Sequence, residues 1–113
     1  MTIKTISPTL SVSPQILPNQ MASLAKSGFK SIICNLPDGE CGAGQPGFDQ
    51  IAAAAKAAGM QSAYLPIVPG QAGSVEAAAF RDLLNRLPTP IVAFCRSGNR
   101  SASLWTMSLT TRA

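Results

Sequence analysis

The residues best suited to chemistry form one short segment, Cys95 to Ser101, which directly follows an apolar run at residues 91–94. The apolar run predicts a strand that ends at the cysteine, and Ala102 to Leu109 predicts a helix. A strand, a loop and a helix N-terminus aim backbone N–H groups at one point, which attracts anions and favours a cysteine as thiolate. The sequence therefore predicts thiolate chemistry on a small anionic group.

Each residue type in this loop has a physical reason to be there. Cys95 is the candidate nucleophile, and Arg100 offers a guanidinium fork that binds a sulfonate, phosphate or persulfide. Gly98 permits the positive φ that a loop curling around an anion requires. The predicted anion-binding residues are Arg96, Ser97, Gly98, Asn99 and Ser101. The alternative is a buried structural cysteine before an ordinary capped turn, but the combined spacing favours function.

Composition narrows the possible classes of protein. A chain of 113 residues with 46% hydrophobic and 12% charged residues predicts one globular domain, residues 1–113. The net charge of +4 is mild and aromatic residues are few, so we expect no nucleic-acid partner. No apolar stretch approaches the roughly 20 residues of a transmembrane helix, and no signal peptide is evident.

The inventory of reactive side chains is a stronger constraint. The chain has no histidine, which excludes a Ser-His-Asp or Cys-His mechanism within it. Three cysteines are an odd number without framework spacing, which predicts a reducing, cytoplasmic location and argues against a zinc site. We expect neither a metal nor a cofactor.

Strand-like and helix-like segments alternate along the chain. Strands are predicted at residues 3–6, 10–13, 31–36, 61–68 and 91–94. Helices are predicted from Pro18 to a terminal Gly28, at 48–58, at 74–87 with Ser74 as N-cap and Val75 in its apolar stripe, and at 102–109. This alternation predicts an α/β fold with a mainly parallel sheet flanked by helices, although the strand order stays open. Cys95, the 37–47 loop and the 69–73 loop would all follow carboxyl ends of strands, where ligands bind.

Other candidate residues lie in the 37–47 loop and in the strand before it. Asp38 is a candidate general acid, although an Asp-Gly turn residue is the more common role. Glu40 is more often a solvated loop charge than a catalyst. Cys41 is a possible accessory thiol that resolves or receives sulfur, with a spectator role as the alternative. Cys34 lies in an apolar strand, where cysteine behaves as a small hydrophobe.

The segment Cys95-Arg96-Ser97-Gly98-Asn99-Arg100-Ser101 resembles the Cys-x-x-Gly-x-Arg-Ser active loop of rhodaneses, which are sulfurtransferases. It also resembles the His-Cys-x5-Arg-Ser/Thr loop of tyrosine and dual-specificity phosphatases. It departs from the phosphatase pattern because Phe94 replaces the histidine and only four residues separate Cys95 from Arg100. The shorter loop suggests a tighter cradle, better suited to a persulfide than to a phosphoryl group.

Nearly the whole chain resembles the phosphatase-like domain of bacterial beta-lactamase-hydrolase-like proteins, which is also described as a candidate sulfurtransferase family. The matching segments are 10–15, 28–35, 37–40, 64–67 and 95–105, while Leu36 stands where the family often has arginine. The resemblance implies a phosphatase-like α/β scaffold. It also implies fusion to, or pairing with, sulfide:quinone oxidoreductase or persulfide dioxygenase.

Together these observations predict a rhodanese-type sulfurtransferase. Cys95 would carry sulfane sulfur as a persulfide, with thiosulfate or glutathione persulfide as donor and glutathione or another thiol as acceptor, while Arg96 and Arg100 orient the donor. The first alternative is a cysteine-dependent protein phosphatase that uses Cys95 and Asp38. The second is a noncatalytic module that docks to an oxidoreductase.

Overall fold

The computed structural model describes residues 3–110, and within this range five strands form one sheet. The strands are β1 (Lys4–Thr5), β2 (Leu10–Ser13), β3 (Ser31–Cys34), β4 (Gln61–Tyr64) and β5 (Ile91–Phe94). The helices are α1 (Met21–Lys26), which a 3-10 turn at Pro18–Gln20 precedes, α2 (Phe48–Ala57), α3 (Ser74–Arg86) and α4 (Asn99–Thr110).

The strand order in the sheet is β1-β2-β5-β3-β4. The neighbours β2, β5, β3 and β4 pair in parallel, and only the short β1 is antiparallel to its partner. The predicted mainly parallel α/β sheet is therefore confirmed. Because β5 lies between β2 and β3, its carboxyl end is surrounded by the loops that leave the neighbouring strands.

The core has one layer on each face of the sheet. Ile32 and Val92 belong to a cluster with residues of α1 and α2, whereas Ile33 and Ala93 belong to a cluster with Phe80 of α3 and residues of α4. Successive residues of a strand point to opposite faces, which explains why neighbours in sequence join different clusters. Burial on both faces accounts for the almost wholly apolar sequences of β3 and β5.

Several predicted elements have different bounds in the structure; the strand predicted to reach Leu36, for example, ends at Cys34. The strand predicted to reach Val68 ends at Tyr64, because the register with β3 is lost there: the Leu65 N–H still donates to the Cys34 carbonyl, but the Ile67 N–H donates to the Asn35 carbonyl, one residue out of step. The N-cap of α3 is Gly73 instead of Ser74, and the Gly73 N–H donates to Oε1 of Glu76 at 2.8 Å. Val75 does not belong to the apolar stripe of α3, since it is 75% exposed.

The helix α4 begins at Asn99, three residues before the predicted start at Ala102. Its first turn is already formed there, since the Ala102 N–H donates to the Gly98 carbonyl at 3.0 Å. The N-terminus of α4 therefore lies inside the cysteine loop. Within residues 3–110, no helix is long and apolar enough to cross a membrane.

Candidate functional site

Cys95 lies at the carboxyl end of β5 and is fully buried, with 0% of its surface exposed. The Gly98 N–H donates to the Cys95 sulfur at 3.0 Å. Burial by itself raises the pKa of the Cys95 thiol, but the nearby backbone N–H groups of Ser101, Ser97, Arg100 and Gly98 lower it, and the pKa falls below its ordinary value. The loop therefore favours the thiolate at a buried site, which is the physical condition for a reactive cysteine.

The cysteine loop is packed tightly against the end of β2. Gly98 has φ of +94°, and a Cβ built on it would lie 3.4 Å from both the carbonyl carbon and the oxygen of Ser13. The Cys95 N–H donates to the Ser13 carbonyl at 3.4 Å, and the Gln15 N–H donates to the Arg96 carbonyl at 3.3 Å. Positive φ and close approach together require glycine at this position.

Arg100 forms a two-point ion pair with Glu40 of the loop between β3 and α2. Its Nη1 donates to Glu40 Oε1 at 2.7 Å, and Nη2 donates to Oε2 at 2.5 Å. Nη1 also donates to the Ile67 carbonyl at 2.8 Å. The hydrogen bonds from Arg100 hold the pKa of the Glu40 carboxyl below its usual range. The pair thus joins α4, the β3–α2 loop and the segment after β4.

The two terminal nitrogens of Arg100 are engaged, but one edge of its guanidinium is left over. A guanidinium has five N–H groups, and the bonds to Glu40 and Ile67 use three of them. The remaining two are the Nε–H and one Nη2–H, which lie side by side on one edge. That edge can bind two oxygens of an anion while Glu40 stays in place.

Asp38 and Cys41 lie in the same loop as Glu40 but have different surroundings. The Asp38 carboxylate accepts the Phe48 N–H at 2.8 Å, which caps α2, and the Asp38 N–H donates to the Tyr64 hydroxyl at 2.9 Å. Asp38 therefore caps α2 from ten positions away in the chain, whereas the alternative role expected from the sequence was within its own Asp-Gly turn, and its part as a general acid stays a prediction. Cys41 is exposed.

The other predicted anion-binding residues occupy several positions around the loop. Arg96 is exposed, and its charge contributes to lowering the pKa of Glu40. The Ser97 hydroxyl accepts the Asn99 N–H at 3.3 Å. Ser97 and Asn99 help line a cavity of about 220 Å³ with residues of β1 and β2. Ser101 is buried, and its hydroxyl donates to Asn35 Oδ1 at 2.8 Å.

Sequence reasoning missed two residues of this site, Glu40 and Asn35. Glu40 was expected to be a solvated loop charge, but its side chain is only 18% exposed and pairs with Arg100. Its position after the carboxyl end of β3 was the signal that could have revealed the pair. Asn35 is a fully buried polar residue at the end of an apolar strand, which is itself an indication of a specific hydrogen-bonding role.

Cys34 is not a second nucleophile of this site. Burial raises the pKa of its thiol to about 12, and the thiol donates to the Leu36 carbonyl at 3.3 Å. Within residues 3–110, no group of three or more His, Cys, Asp or Glu side chains is arranged to hold a metal ion.

A parallel sheet with a thiolate at a strand end, held by amides of a loop and a helix N-terminus, defines a phosphatase-like, cysteine-dependent α/β protein. The particular family is shown by its sequence profile, described as the phosphatase-like domain of beta-lactamase hydrolase-like proteins, which matches residues 2–112. The chain belongs to this family.

Curated relatives support the same assignment. The beta-lactamase hydrolase-like protein of Agrobacterium fabrum is 34% identical over 102 residues, and that of Xylella fastidiosa (strain Temecula1) is 31% identical over 108 residues. These alignments cover 90% and 96% of this chain. The chain spans only about a quarter of the length of these relatives, 23% and 25%.

Solved structures with this fold are phosphatases by their descriptions. A "putative phosphatase" of Neisseria meningitidis has a TM-score of 0.86 and 33% identity, covering 93% of this chain and 74% of that one. TpbA of P. aeruginosa, solved in complex with pTyr, has a TM-score of 0.67 and 17% identity, covering 98% and 65%, which shows a shared fold alone. The family and the likeness to the Neisseria protein favour the phosphatase alternative over the sulfurtransferase prediction.

Proposed function

We propose that this domain is a cysteine-dependent phosphatase acting on phosphate monoesters. The Cys95 thiolate attacks phosphorus, so that an S–P bond forms while the bond between phosphorus and the ester oxygen breaks. The leaving oxygen departs with the electron pair and takes up a proton. Water then hydrolyses the thiophosphate, which releases inorganic phosphate and regenerates the thiol.

The ring of backbone amides around a buried sulfur carries this proposal. These amides stabilise the thiolate form of Cys95, and their N–H groups can also bind oxygens of a phosphoryl group next to the sulfur. The unengaged edge of Arg100 offers two further donors for those oxygens. Because Cys95 is 0% exposed, substrate entry requires neighbouring groups to move.

Both carboxylates near the site are engaged in other contacts, which limits the protonation of the leaving group. The Asp38 carboxylate is engaged in capping α2, and the Glu40 carboxylate is engaged with Arg100. A leaving group that departs without a strong proton donor suits such a site best. We therefore propose aryl phosphates, whose phenolates are stable anions, as the preferred class of substrate.

The test compares hydrolysis of p-nitrophenyl phosphate with that of phenyl phosphate, which has the poorer leaving group. We expect turnover of both, with p-nitrophenyl phosphate faster, and complete loss in Cys95→Ser with an unchanged circular dichroism spectrum. Asp38→Asn keeps an oxygen acceptor for the Phe48 N–H but cannot donate the proton. A selective loss of phenyl phosphate hydrolysis in this variant would make Asp38 the acid. Absence of all aryl phosphate turnover would refute the phosphatase proposal.

Sulfur transfer is the second candidate, and the loop length favours it. Only four residues separate Cys95 from Arg100, and expulsion of sulfite from thiosulfate needs no proton donor. The Cys95 thiolate would attack the outer sulfur, the S–S bond would break with sulfite as leaving group, and glutathione would then accept the sulfur from the persulfide. An assay of thiosulfate with glutathione or cyanide, on the wild type and Cys95→Ser, separates the two candidates. Activity in neither assay would favour the docking module.

A further inference from the structure

Asn35 is a fully buried amide that joins three elements around the cysteine loop. Its Nδ2 donates to the Leu65 carbonyl at 2.9 Å, and its Oδ1 accepts the Ser101 hydroxyl at 2.8 Å. Its backbone N–H donates to the Phe94 carbonyl at 2.8 Å, one residue before Cys95. An asparagine with both ends of its side chain satisfied in the interior fixes its partners with little freedom.

The partner of Asn35 is part of the cysteine loop itself. Ser101 is 0% exposed and lies in the first turn of α4. Its hydroxyl is used by Asn35, while its backbone N–H belongs to the amide ring around the Cys95 sulfur. The bond between Asn35 and Ser101 therefore ties the carboxyl end of β3 to the turn that presents these amides.

We propose that Asn35 is a positioning residue that acts through Ser101 to hold the first turn of α4 with its amides directed at the Cys95 sulfur. The proposal rests on the proposed function only in that Cys95 reacts as a thiolate, and it applies equally to phosphoryl and sulfur transfer. The charged and titratable side chains coupled to Cys95 are Arg100 from α4 and Cys34 from β3. Asn35 carries no charge, so its effect on the sulfur is one of geometry.

The test measures the pKa of the Cys95 thiol from the pH dependence of its alkylation by iodoacetamide. Mass spectrometry of the labelled peptides separates Cys95 from Cys41 and Cys34. We expect Asn35→Ala and Ser101→Ala each to raise the pKa by about one unit, which slows alkylation about tenfold at a pH below both values. The double variant should shift the pKa no further than Asn35→Ala alone, because both substitutions break the same link.

Two buried serines provide matched controls at the far ends of the same elements. Ser31 begins β3 and donates to the Pro88 carbonyl at 2.8 Å, and Ser108 of α4 donates to the Trp105 carbonyl at 2.6 Å. Ser31→Ala and Ser108→Ala each remove a hydrogen bond of a buried serine and should leave the alkylation profile of Cys95 unchanged. If Asn35 had only a structural role, its variants would lower the melting temperature and otherwise behave like these controls.

A folded Asn35→Ala protein with an unchanged Cys95 pKa would overturn the inference. Should Asn35→Ala fail to fold, Ser101→Ala decides by the same measurement, since it keeps the backbone amide and removes only the hydroxyl. Alkylation needs no turnover, so the two proposals fail separately. An ordinary pKa in the wild-type protein contradicts the thiolate of the proposed function, whereas a lowered wild-type pKa with unshifted variants contradicts only the role of Asn35.

Discussion

Replacing Glu40 with glutamine tests whether Arg100 needs its carboxylate partner to bind an anion. The side chains of Arg100 and Glu40 meet at 2.7 and 2.5 Å through two parallel hydrogen bonds. Glutamine has almost the same size but offers one oxygen acceptor, and its NH₂ group would face a guanidinium nitrogen. In Glu40→Gln, Arg100 therefore keeps its charge but loses the two-point pairing that fixes the orientation of its guanidinium.

The size of the effect follows from the strength and the exposure of the pair. A hydrogen bond to a charged group contributes about 1.5–3 kcal/mol when it is well shielded. The two side chains are 17% and 18% exposed, and solvent screening reduces the contribution. We take a net loss of about 1.4 kcal/mol in transition-state binding, which corresponds to about a tenfold fall in kcat/KM.

The assay is kcat/KM for p-nitrophenyl phosphate, together with the inhibition constant of inorganic phosphate, which reports on anion binding directly. Asp82→Asn is the matched control, because it breaks the exposed pair between Asp82 and Arg86 on α3, which has a similar distance of 2.7 Å. If Glu40→Gln stays within about twofold of this control in both measurements, the orienting role is refuted. A rise in activity would instead mean that Glu40 competes with substrate for Arg100.

The pH dependence of the same pair has a definite sign. Because Arg100 lowers the pKa of the Glu40 carboxyl in the folded protein, the pair stabilises the fold above the ordinary glutamate value of about 4.3. Its contribution is lost as the pH falls through the lowered value. Glu40→Gln should therefore remove part of the acid dependence of unfolding, measured as denaturation midpoints in a pH series, and Asp82→Asn serves again as the comparison.

Three further predictions concern the cysteine loop and its neighbours. Since the pKa of Cys95 is lowered on folding, the wild-type protein should be stabilised relative to Cys95→Ser at pH values above the ordinary thiol pKa of about 8.5. This difference in stability should be lost as the pH falls through the folded-state pKa. Denaturant titrations in a pH series measure the difference, and a difference that does not depend on pH would contradict the prediction. Gly98→Ala should cost about 1–2 kcal/mol of unfolding free energy and raise the Cys95 pKa, whereas Gly44→Ala, which meets no atom within 4 Å, should do neither. Cys34, with its pKa of about 12, should stay unlabelled by iodoacetamide in the native protein at pH values where Cys95 reacts, and react only after denaturation, so native labelling would contradict its raised pKa.

Local sequence signals predicted the elements of the site well. The apolar run before Cys95 and the glycine three residues later indicated the strand and the turn, since both depend on short-range properties of the chain. The strand order could not be predicted, because nothing in the sequences of the short strands indicates which of them pairs with β5. The register of Phe94 with Ser13 on one side and Cys34 on the other is a property of the packed sheet.

The contacts that complete the site are long-range, and this is why sequence reasoning missed them. Glu40 and Arg100 are 60 positions apart, and Asn35 and Ser101 are 66 positions apart. Composition and periodicity describe single elements and contain no information on which side chains of different loops meet. Asp38 is a similar case, because its carboxylate accepts the N–H of Phe48, ten positions away, and the Asp-Gly turn expected from the sequence did not indicate this contact.

The variants also discriminate between the two chemistries, because phosphoryl and sulfur transfer place negative charge at different distances from the Cys95 sulfur. In phosphoryl transfer the oxygens are on the attacked atom, next to the loop amides such as that of Gly98. In attack on thiosulfate the sulfonate oxygens lie one atom further out, beyond the amides and toward the guanidinium of Arg100. A distorted amide ring in Gly98→Ala should therefore slow phosphate hydrolysis more than Glu40→Gln does. For thiosulfate the order of the two effects should be reversed, and an equal ratio in both reactions would show that the amide ring serves the thiolate alone.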